Sequence, residues 1–433
     1  MVEGCPVLDW AASGAMALTG YPDGVPDMSP APAFGLLSRV TEELALATRR
    51  TGSEVRADPA ELLTGRAALA GLSRRGRISA GGSARLLRTR DGWCAVSLSR
   101  REDVDAVPAI IGRLGRLGGL GLPGPSGVWV ALEGTAYTVS ARALADTAQL
   151  LGVPAAALPL DSPSARSAPW PPWRMTHIAA PSGSARLAGA VVADLSSMWA
   201  GPLCARLLGL AGARVIKVET PGRPDGARLG ERRFFDWLHA GHHSMTADFR
   251  TDSGRAALAA LLAAADVVIE ASRPRALANL GLAPEMIPHR GGQVWLSITG
   301  YGRAEPDLVA FGDDAAVAGG LVGYVDGLGP VFCADAVADP LTGVCGALAV
   351  ARAVAEGGGQ LIDLSMRAVA ACFAAAPGPD HHGPHVVRAD GTVLCSQLAR
   401  AQAVLPPRRP SPTGPAAELG ADTEAVLGWL ASC

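Results

Sequence analysis

The sequence predicts an α/β fold: a large domain on a parallel sheet covered on both faces by helices, with a smaller α+β domain beside it. Three observations predict it. Past residue 190, short apolar strands alternate with helical runs, the pattern of a doubly covered parallel sheet. The first 160 residues lack that alternation and carry a hairpin signature instead. A Pro-, Ser- and Ala-rich stretch divides the two.

In chain order, Arg85–Leu98 reads as a hairpin turning at Asp91-Gly92, because an Asp-Gly pair accepts the positive φ angles of a tight two-residue loop. Helical stretches follow near Val104–Ile111 and Ala141–Leu151. Asp161 to Gly189, with Pro163, Pro169, Pro171, Pro172 and Pro181, reads as a linker. It sets boundaries at 1–160, 161–189 and 190–376; a second break at Pro377–Pro384 leaves a tail, 377–433. Val191–Leu195 is then a strand, Pro202 opens a helical run to Leu210 that stops at Gly212, and Arg214–Glu219 is the next strand. A helix from Ser253 to Ala265 leads into the strand Asp266–Glu270, and Gln293–Thr299 adds another before Gly300. Asp339-Pro340 introduces a long helix to about Val354, and Gly357–Gln360 reads as a turn before the strand Leu361–Ser365. A weak internal repeat pairs Asp9–Gly14 and Gly20-Tyr-Pro-Asp-Gly24 with Asp314–Gly319 and Gly323-Tyr-Val-Asp-Gly327.

Composition narrows the function. With 433 residues, 49% hydrophobic, and a net charge of −2, the chain suits a core-forming globular protein of two or three lobes. Interspersed charges without a basic run argue against nucleic acid as a partner. Lys217 is the single lysine. The eight cysteines, Cys5, Cys94, Cys204, Cys333, Cys345, Cys372, Cys395 and Cys433, contain no C-x-x-C pair and fit buried thiols in a reducing cytoplasm. Glu3 and Asp9 oppose a signal peptide, and the longest apolar run, Ala256–Ala265, is too short for a bilayer, so a cytoplasmic location without membrane association is the expectation.

Several motifs fail their context. Gly119–Gly124 satisfies G-x-G-x-x-G but contains Pro123 and joins no strand to a helix, so no nucleotide redox cofactor is expected. His381, His382 and His385 lie among Gly and Pro with no thiolate pair nearby in sequence, which reads as a solvated loop and no metal site. His242 and His243 read as a surface turn, and no G-x-S-x-G elbow occurs. Asp339 bears two readings. Asp is a favoured N-cap and Pro a favoured first helical residue; the same place, where helix amides favour an ionised carboxylate, suits a nucleophile.

The motifs Asp194-Leu-Ser-Ser-Met-Trp-Ala-Gly-Pro202, Leu210-Ala-Gly-Ala-Arg-Val-Ile-Lys-Val-Glu219, Pro224-Asp-Gly-Ala-Arg228, Ala265–Glu270 with Arg273-Pro274, Ser297–Gly302 and Ala338–Gly343 occur in order. Together they make Val191–Ser365 resemble the Rossmann-like large domain of family III CoA-transferases, the group that includes formyl-CoA and carnitine-related transferases and α-methylacyl-CoA racemases. Leu419–Leu427 is similar to the family's closing motif. The first region resembles the family's smaller domain, which ordinarily comes second: Gly81-Gly82 before Arg85–Leu98 looks like its glycine-rich loop, and Leu151–Leu158 like its G-V-P-A stretch. The order therefore looks rearranged. Ala31 stands where the repeat would carry a second catalytic aspartate.

The resemblance implies an acyl-CoA:carboxylate CoA-transferase with Asp339 as nucleophile, Gly81 and Gly82 supplying oxyanion amides, and acyl-CoA and a carboxylic acid as substrates. It implies Arg228, Arg273 and Arg275 as cations for the CoA phosphates, Met198, Trp199 and Ala200 near the pantetheine or thioester, and a homodimer. Trp199 replaces a polar glutamine of formyl-CoA transferase, pointing to a more apolar acyl group. Ala240-Gly-His-His243 departs from the family's Asn-Lys-Arg, and Asp313 stands at or near the place of the racemase histidine. A racemase-like CoA-ester isomerase and a noncatalytic CoA-ester-binding protein are the alternatives.

Overall fold

The computed structural model describes residues 4–115, 127–160, 168–183, 185–377, 384–388, 390–411 and 413–432. The Gly119–Gly124 motif, the first part of the expected linker, His381, His382 and Cys433 lie outside the described residues.

The first region opens with α1 (Pro6–Ser13), α2 (Ala31–Thr51) and α3 (Pro59–Ala70). It continues with β1 (Ala84–Arg88), β2 (Trp93–Ser97), α4 (Arg101–Arg113), α5 (Val128–Ala136), α6 (Ala141–Leu150) and β3 (Ala155–Ala157). β1 and β2 form the expected hairpin, with Arg88 opposite Trp93. Leu87, Val96, Ile110, Leu132 and Leu144 close a small core of their own beneath it.

The rest is β4 (Trp173–His177), β5 (Val191–Asp194), α7 (Ala200–Leu210), β6 (Arg214–Glu219), α8 (Arg232–His239), β7 (His243–Thr246), α9 (Asp252–Ala264) and β8 (Val267–Glu270). Next come α10 (Pro274–Ala278), β9 (Val294–Thr299), α11 (Gly312–Gly319), β10 (Gly323–Val325), β11 (Gly329–Val331), α12 (Ala338–Ala355), β12 (Gln360–Ser365) and α13 (Met366–Ala374). The C-terminal meander β13 (His385–Val387), β14 (Thr392–Cys395) and β15 (Arg400–Ala403) precedes α14 (Thr423–Leu430). Seven strands form one sheet in the order β4-β12-β9-β8-β5-β6-β7. Every pairing in it is parallel except that of β4 with β12. This is the predicted sheet with one unexpected edge. The stretch read as a linker contributes β4, because Trp173 is buried at the edge while Arg174, Met175, Thr176 and His177 face outward, a pattern too exposed to register as a strand in sequence.

α12 is the axis of the main core. α2, α7 and α13 pack around it. It is long and apolar enough to cross a membrane by length and composition, yet it is enclosed by the other helices. Gly343 permits the tightest approach: a Cβ there would lie 2.7 Å from the Ala200 carbonyl oxygen of α7. The two copies of the weak repeat meet in this core. α1 and α11 are each closed by a left-handed glycine, Gly14 (φ 85°) and Gly320 (φ 82°). Each is followed by the Gly-Tyr turn and then a long helix, and the Thr19 hydroxyl of one copy accepts the Ala334 amide of the other at 3.0 Å.

Candidate functional site

In a doubly wound sheet, ligands bind at the carboxyl edge where the strand order reverses. Here β5 runs outward to β6 and β7 on one side and neighbours β8, β9 and β12 on the other, so the reversal falls between β5 and β8. The loop leaving β5 carries Met198 and Trp199, with Ala200 opening α7; the loop leaving β8 carries Arg273, with Arg275 in the first turn of α10. α12, which precedes β12 in the same winding, presents its amino end on this side of the sheet. The elongated cleft lined by Pro181, Ser182, Ala185 and Gly357 lies at the other end of α12 and is separate.

The β5 loop is held by a buried polar network. Lys217 is fully buried and donates to Asp225 at 2.9 Å and to the Ser196 carbonyl. Asp225 also accepts the Met198 amide at 3.0 Å. Met198 sits at φ 72°, a left-handed conformation that costs a non-glycine residue about 1 kcal/mol and persists where the surroundings over-determine it. Trp199 is buried beneath it; its ring meets Phe234 edge-on, and the Arg66 guanidinium stacks over both, 5.5 and 5.9 Å from their centroids.

Arg66 is the meeting point. It lies on α3 and pairs with Asp335 at 2.7 Å. A Cβ on Gly81 would stand 3.3 Å from its Nη2, so the glycine-rich loop crosses directly over the guanidinium. Asp339 lies inside the first turn of α12, whose N-cap is Val337, and its carboxylate caps nothing. The expectation of an N-cap is corrected by this geometry: Asp339 donates its amide to the Ala336 carbonyl at 2.9 Å, which leaves both carboxylate oxygens without a hydrogen bond among the described residues. The side chain is partly accessible. Gly312 makes room for it, since a Cβ there would fall 2.3 Å from Asp339 Oδ2.

Three more carboxylates surround Asp339. Asp313 accepts the Ala336 amide at 3.1 Å, Asp314 accepts the Ser97 hydroxyl at 2.7 Å, and Asp335 lies between Ala334 and Ala336, both at positive φ (52° and 42°). Burial, with Asp313, Asp314 and Asp335 adding repulsion and Arg66 opposing it, pushes Asp339 up to about 8. Burial and Asp335 push Asp313 up to about 7, and Asp314, buried and neighbouring Asp313, also rises to about 7. Such a cluster holds protons near neutrality, the range in which a carboxyl group both gives and takes them.

The structure brings Asp339, Asp313 and Gly81 together around Arg66, with Trp199 stacked beneath. Gly82 takes φ 83° to turn the loop, but its amide is committed to the Ser79 carbonyl at 2.8 Å; the Gly81 amide has no hydrogen-bond acceptor among the described residues. Arg228 departs from expectation. It forms a largely buried ion pair with Glu219 at 2.6 Å and lies over Phe235, so its charge is neutralised within the scaffold. Arg273 has no ion pair among the described residues; burial, then Arg275, Arg100 and Arg223, lowers its pKa, the signature of crowded cations. Arg275 is half exposed and pairs with Asp307 at 3.2 Å. His242 is also corrected. It is buried beside His239 and Lys217, and burial first, then Lys217, drives it down to about 3; His243 alone is solvent-facing, 3.5 Å from Asp422. Sequence reasoning missed Arg66, Asp335 and Gly312. A lone arginine within the apolar run Leu62–Ala70 was the available signal for Arg66.

Residues 187–398 match the model of CoA-transferase family III. A succinyl-CoA–D-citramalate CoA-transferase of Chloroflexus aurantiacus is 31% identical over 192 residues, 40% of this chain and 48% of that protein. A succinate–glutarate CoA-transferase of Agrobacterium fabrum is 34% identical over 203 residues, 42% of this chain and 50% of that protein. The chain thus spans about half the length of the curated relatives it matches. A solved CAIB/BAIF family protein from Brucella suis is 28% identical, covering 47% of this chain and 60% of that one, with a TM-score of 0.39.

Proposed function

We propose that the chain moves coenzyme A from an acyl-CoA to a carboxylic acid, with Asp339 as the covalent carrier, a reading supported by the match of residues 187–398 to the model of CoA-transferase family III. One observation carries the reading: a carboxylate that accepts no hydrogen bond among the described residues, partly accessible at the amino end of α12 and facing the Arg66 charge, which the Gly81 loop approaches.

A side-chain oxygen of ionised Asp339 adds to the donor thioester carbonyl and expels CoA thiolate, leaving a mixed anhydride. The thiolate then adds to the Asp339 carbonyl carbon, releasing the donor acid and leaving an aspartyl-CoA thioester. The acceptor carboxylate reverses the sequence: it takes the aspartyl group as an anhydride, the freed thiolate attacks the acceptor carbonyl, and Asp339 leaves as the carboxylate. Each tetrahedral intermediate carries an oxyanion, for which the Gly81 amide, in the loop beside Arg66, is the proposed backbone donor. Trp199 forms an apolar floor against water, which would hydrolyse the anhydride. Arg273, with Arg275, Arg100 and Arg223 near it, supplies positive charge at the carboxyl edge for the CoA phosphates.

Asp339→Asn removes the nucleophile and leaves the helix start unchanged, because Val337 is the cap. The expected result is loss of CoA exchange between isotopically labelled succinate and succinyl-CoA, together with loss of a hydroxylamine-trapped adduct on the peptide containing residue 339. Exchange at the wild-type rate in that variant overturns the assignment. One observation favours a second reading: Asp313 and Asp339, held near 7 and 8, form a pair able to pass an α-proton between two faces. Deuterium entry at the α-carbon of a branched acyl-CoA, without exchange of CoA, would select that isomerase.

A further inference from the structure

A second cluster, away from Asp339, joins the start of the chain to its last sheet. Cys5 immediately precedes α1; His385 and Cys395 face each other across the β13–β14 ladder. Cys5 Sγ lies 3.0 Å from His385 Nε2, and one donor atom from each of the three side chains lies within 4.8 Å of the others. Metal bonds of about 2.3 Å to sulfur and 2.0 Å to imidazole place tetrahedral donor atoms roughly 3.5–3.8 Å apart, inside that range. Both cysteines are buried, at 2% and 0% exposure, and His385 is half-buried.

The backbone around the sulfurs adds an independent observation. The Leu398 amide donates to Cys395 Sγ at 3.4 Å, across a Cys-Ser-Gln-Leu turn. The Val7 and Leu8 amides, in the first turn of α1, face the Cys5 sulfur. Amide donors aimed at cysteine sulfur are the outer support that a coordinating thiolate uses. The donor set is two thiolates and one imidazole with no carboxylate or carbonyl oxygen, which suits a tetrahedral borderline-soft divalent ion and not magnesium or calcium.

We propose that Cys5, His385 and Cys395 bind a zinc ion that fastens the first helix to the C-terminal meander. The fourth position is open among the described residues. The seam this ion would close also includes the Leu405 amide on the Ala11 carbonyl at 3.0 Å and the Arg408 amide on the Thr64 hydroxyl at 2.8 Å. Thr64 lies two residues from Arg66 on α3, so the fastening supports the helix that carries the central guanidinium. The site was obscured in sequence because its thiols lie 380 residues and ten residues from the histidine.

The test uses the full chain, freed of any polyhistidine tag and purified under reducing conditions without chelator. Elemental analysis is expected to find about one zinc per chain, and replacement by cobalt to give a thiolate-to-cobalt charge-transfer band with tetrahedral ligand-field bands. Cys5→Ser, Cys395→Ser and His385→Ala should each lower metal affinity at least about tenfold. Cys372→Ser, whose thiol donates to the Pro169 carbonyl instead, should retain the metal. Should a variant fold poorly, the cobalt spectrum of the wild type decides alone. A wild-type protein that takes up no cobalt, or metal retained in both cysteine variants, would each overturn the proposal.

Discussion

Asp339 is a carboxyl group kept from ionising easily, and its neighbours set how strongly. Burial first, and then Asp313, Asp314 and Asp335, raise it to about 8 while Arg66 pulls the other way. A nucleophile must be ionised, so kcat/KM for CoA transfer should climb with pH and level off above an apparent value near 8 that belongs to the whole cluster. Arg66→Gln removes the opposing cation, so the rising limb should move to higher pH while the plateau stays measurable; a limb that does not move denies Arg66 this positioning role. The same groups set the sign of acid–base stability. Between the ordinary carboxylate range near 4 and about 7–8, the folded chain keeps protons that the unfolded chain has released. Stability should therefore fall as pH rises through that window. Asp339 drew attention in sequence because Asp-Pro before an apolar run marks a helix start, which left capping and nucleophilic readings open until the family resemblance chose the second. Asp335 and Gly312 did not, because each matters through a partner distant in sequence that spacing does not reveal: Arg66 of α3 for Asp335, and Asp339 of α12 for Gly312.

At the scale of elements, the site depends on how closely α7 and α12 approach. Replacing a glycine inside a helix by alanine ordinarily stabilises it by about 1 kcal/mol. At Gly343 the added methyl would meet the Ala200 carbonyl at 2.7 Å, a backbone contact that cannot swing aside. Steric strain should win: Gly343→Ala is expected to lower stability by roughly 1–3 kcal/mol in chemical denaturation, and to weaken acyl-CoA binding because α7 begins at the Trp199 turn. Unchanged stability would show that the helices part freely. Most strands of the large sheet were legible because their Val- and Ile-rich runs are buried on both faces. β4 was not, since an edge strand needs only Trp173 inward, and the surrounding prolines resemble a linker. The helices α2 and α3 were also missed. They bury alanine and threonine as much as leucine, which blurs the apolar stripe that periodicity detects.

For the whole molecule, both halves of the chain build one centre. Arg66, Ser79 and Gly81 come from the first region, Asp313, Asp335 and Asp339 from the second, and α2 lies against α12 in a common core. A fragment spanning 168–433 alone should show no CoA transfer, whereas co-production with 1–160 should restore it and yield a co-purifying pair; activity in the larger fragment by itself would contradict the shared centre. The sequence did not reveal that the two regions interlock through a single core, because packing between distant segments leaves no periodic trace. The internal repeat carries a further consequence. α2 carries Ala31-Pro32 in its first turn as α12 carries Asp339-Pro340, and Ala31 is 1% exposed. An aspartate there would be desolvated in the core, which favours its protonated form and costs stability if it ionises. Under the proposed function the two copies thus do unequal work, one helix start filling the core and the other presenting a carboxylate.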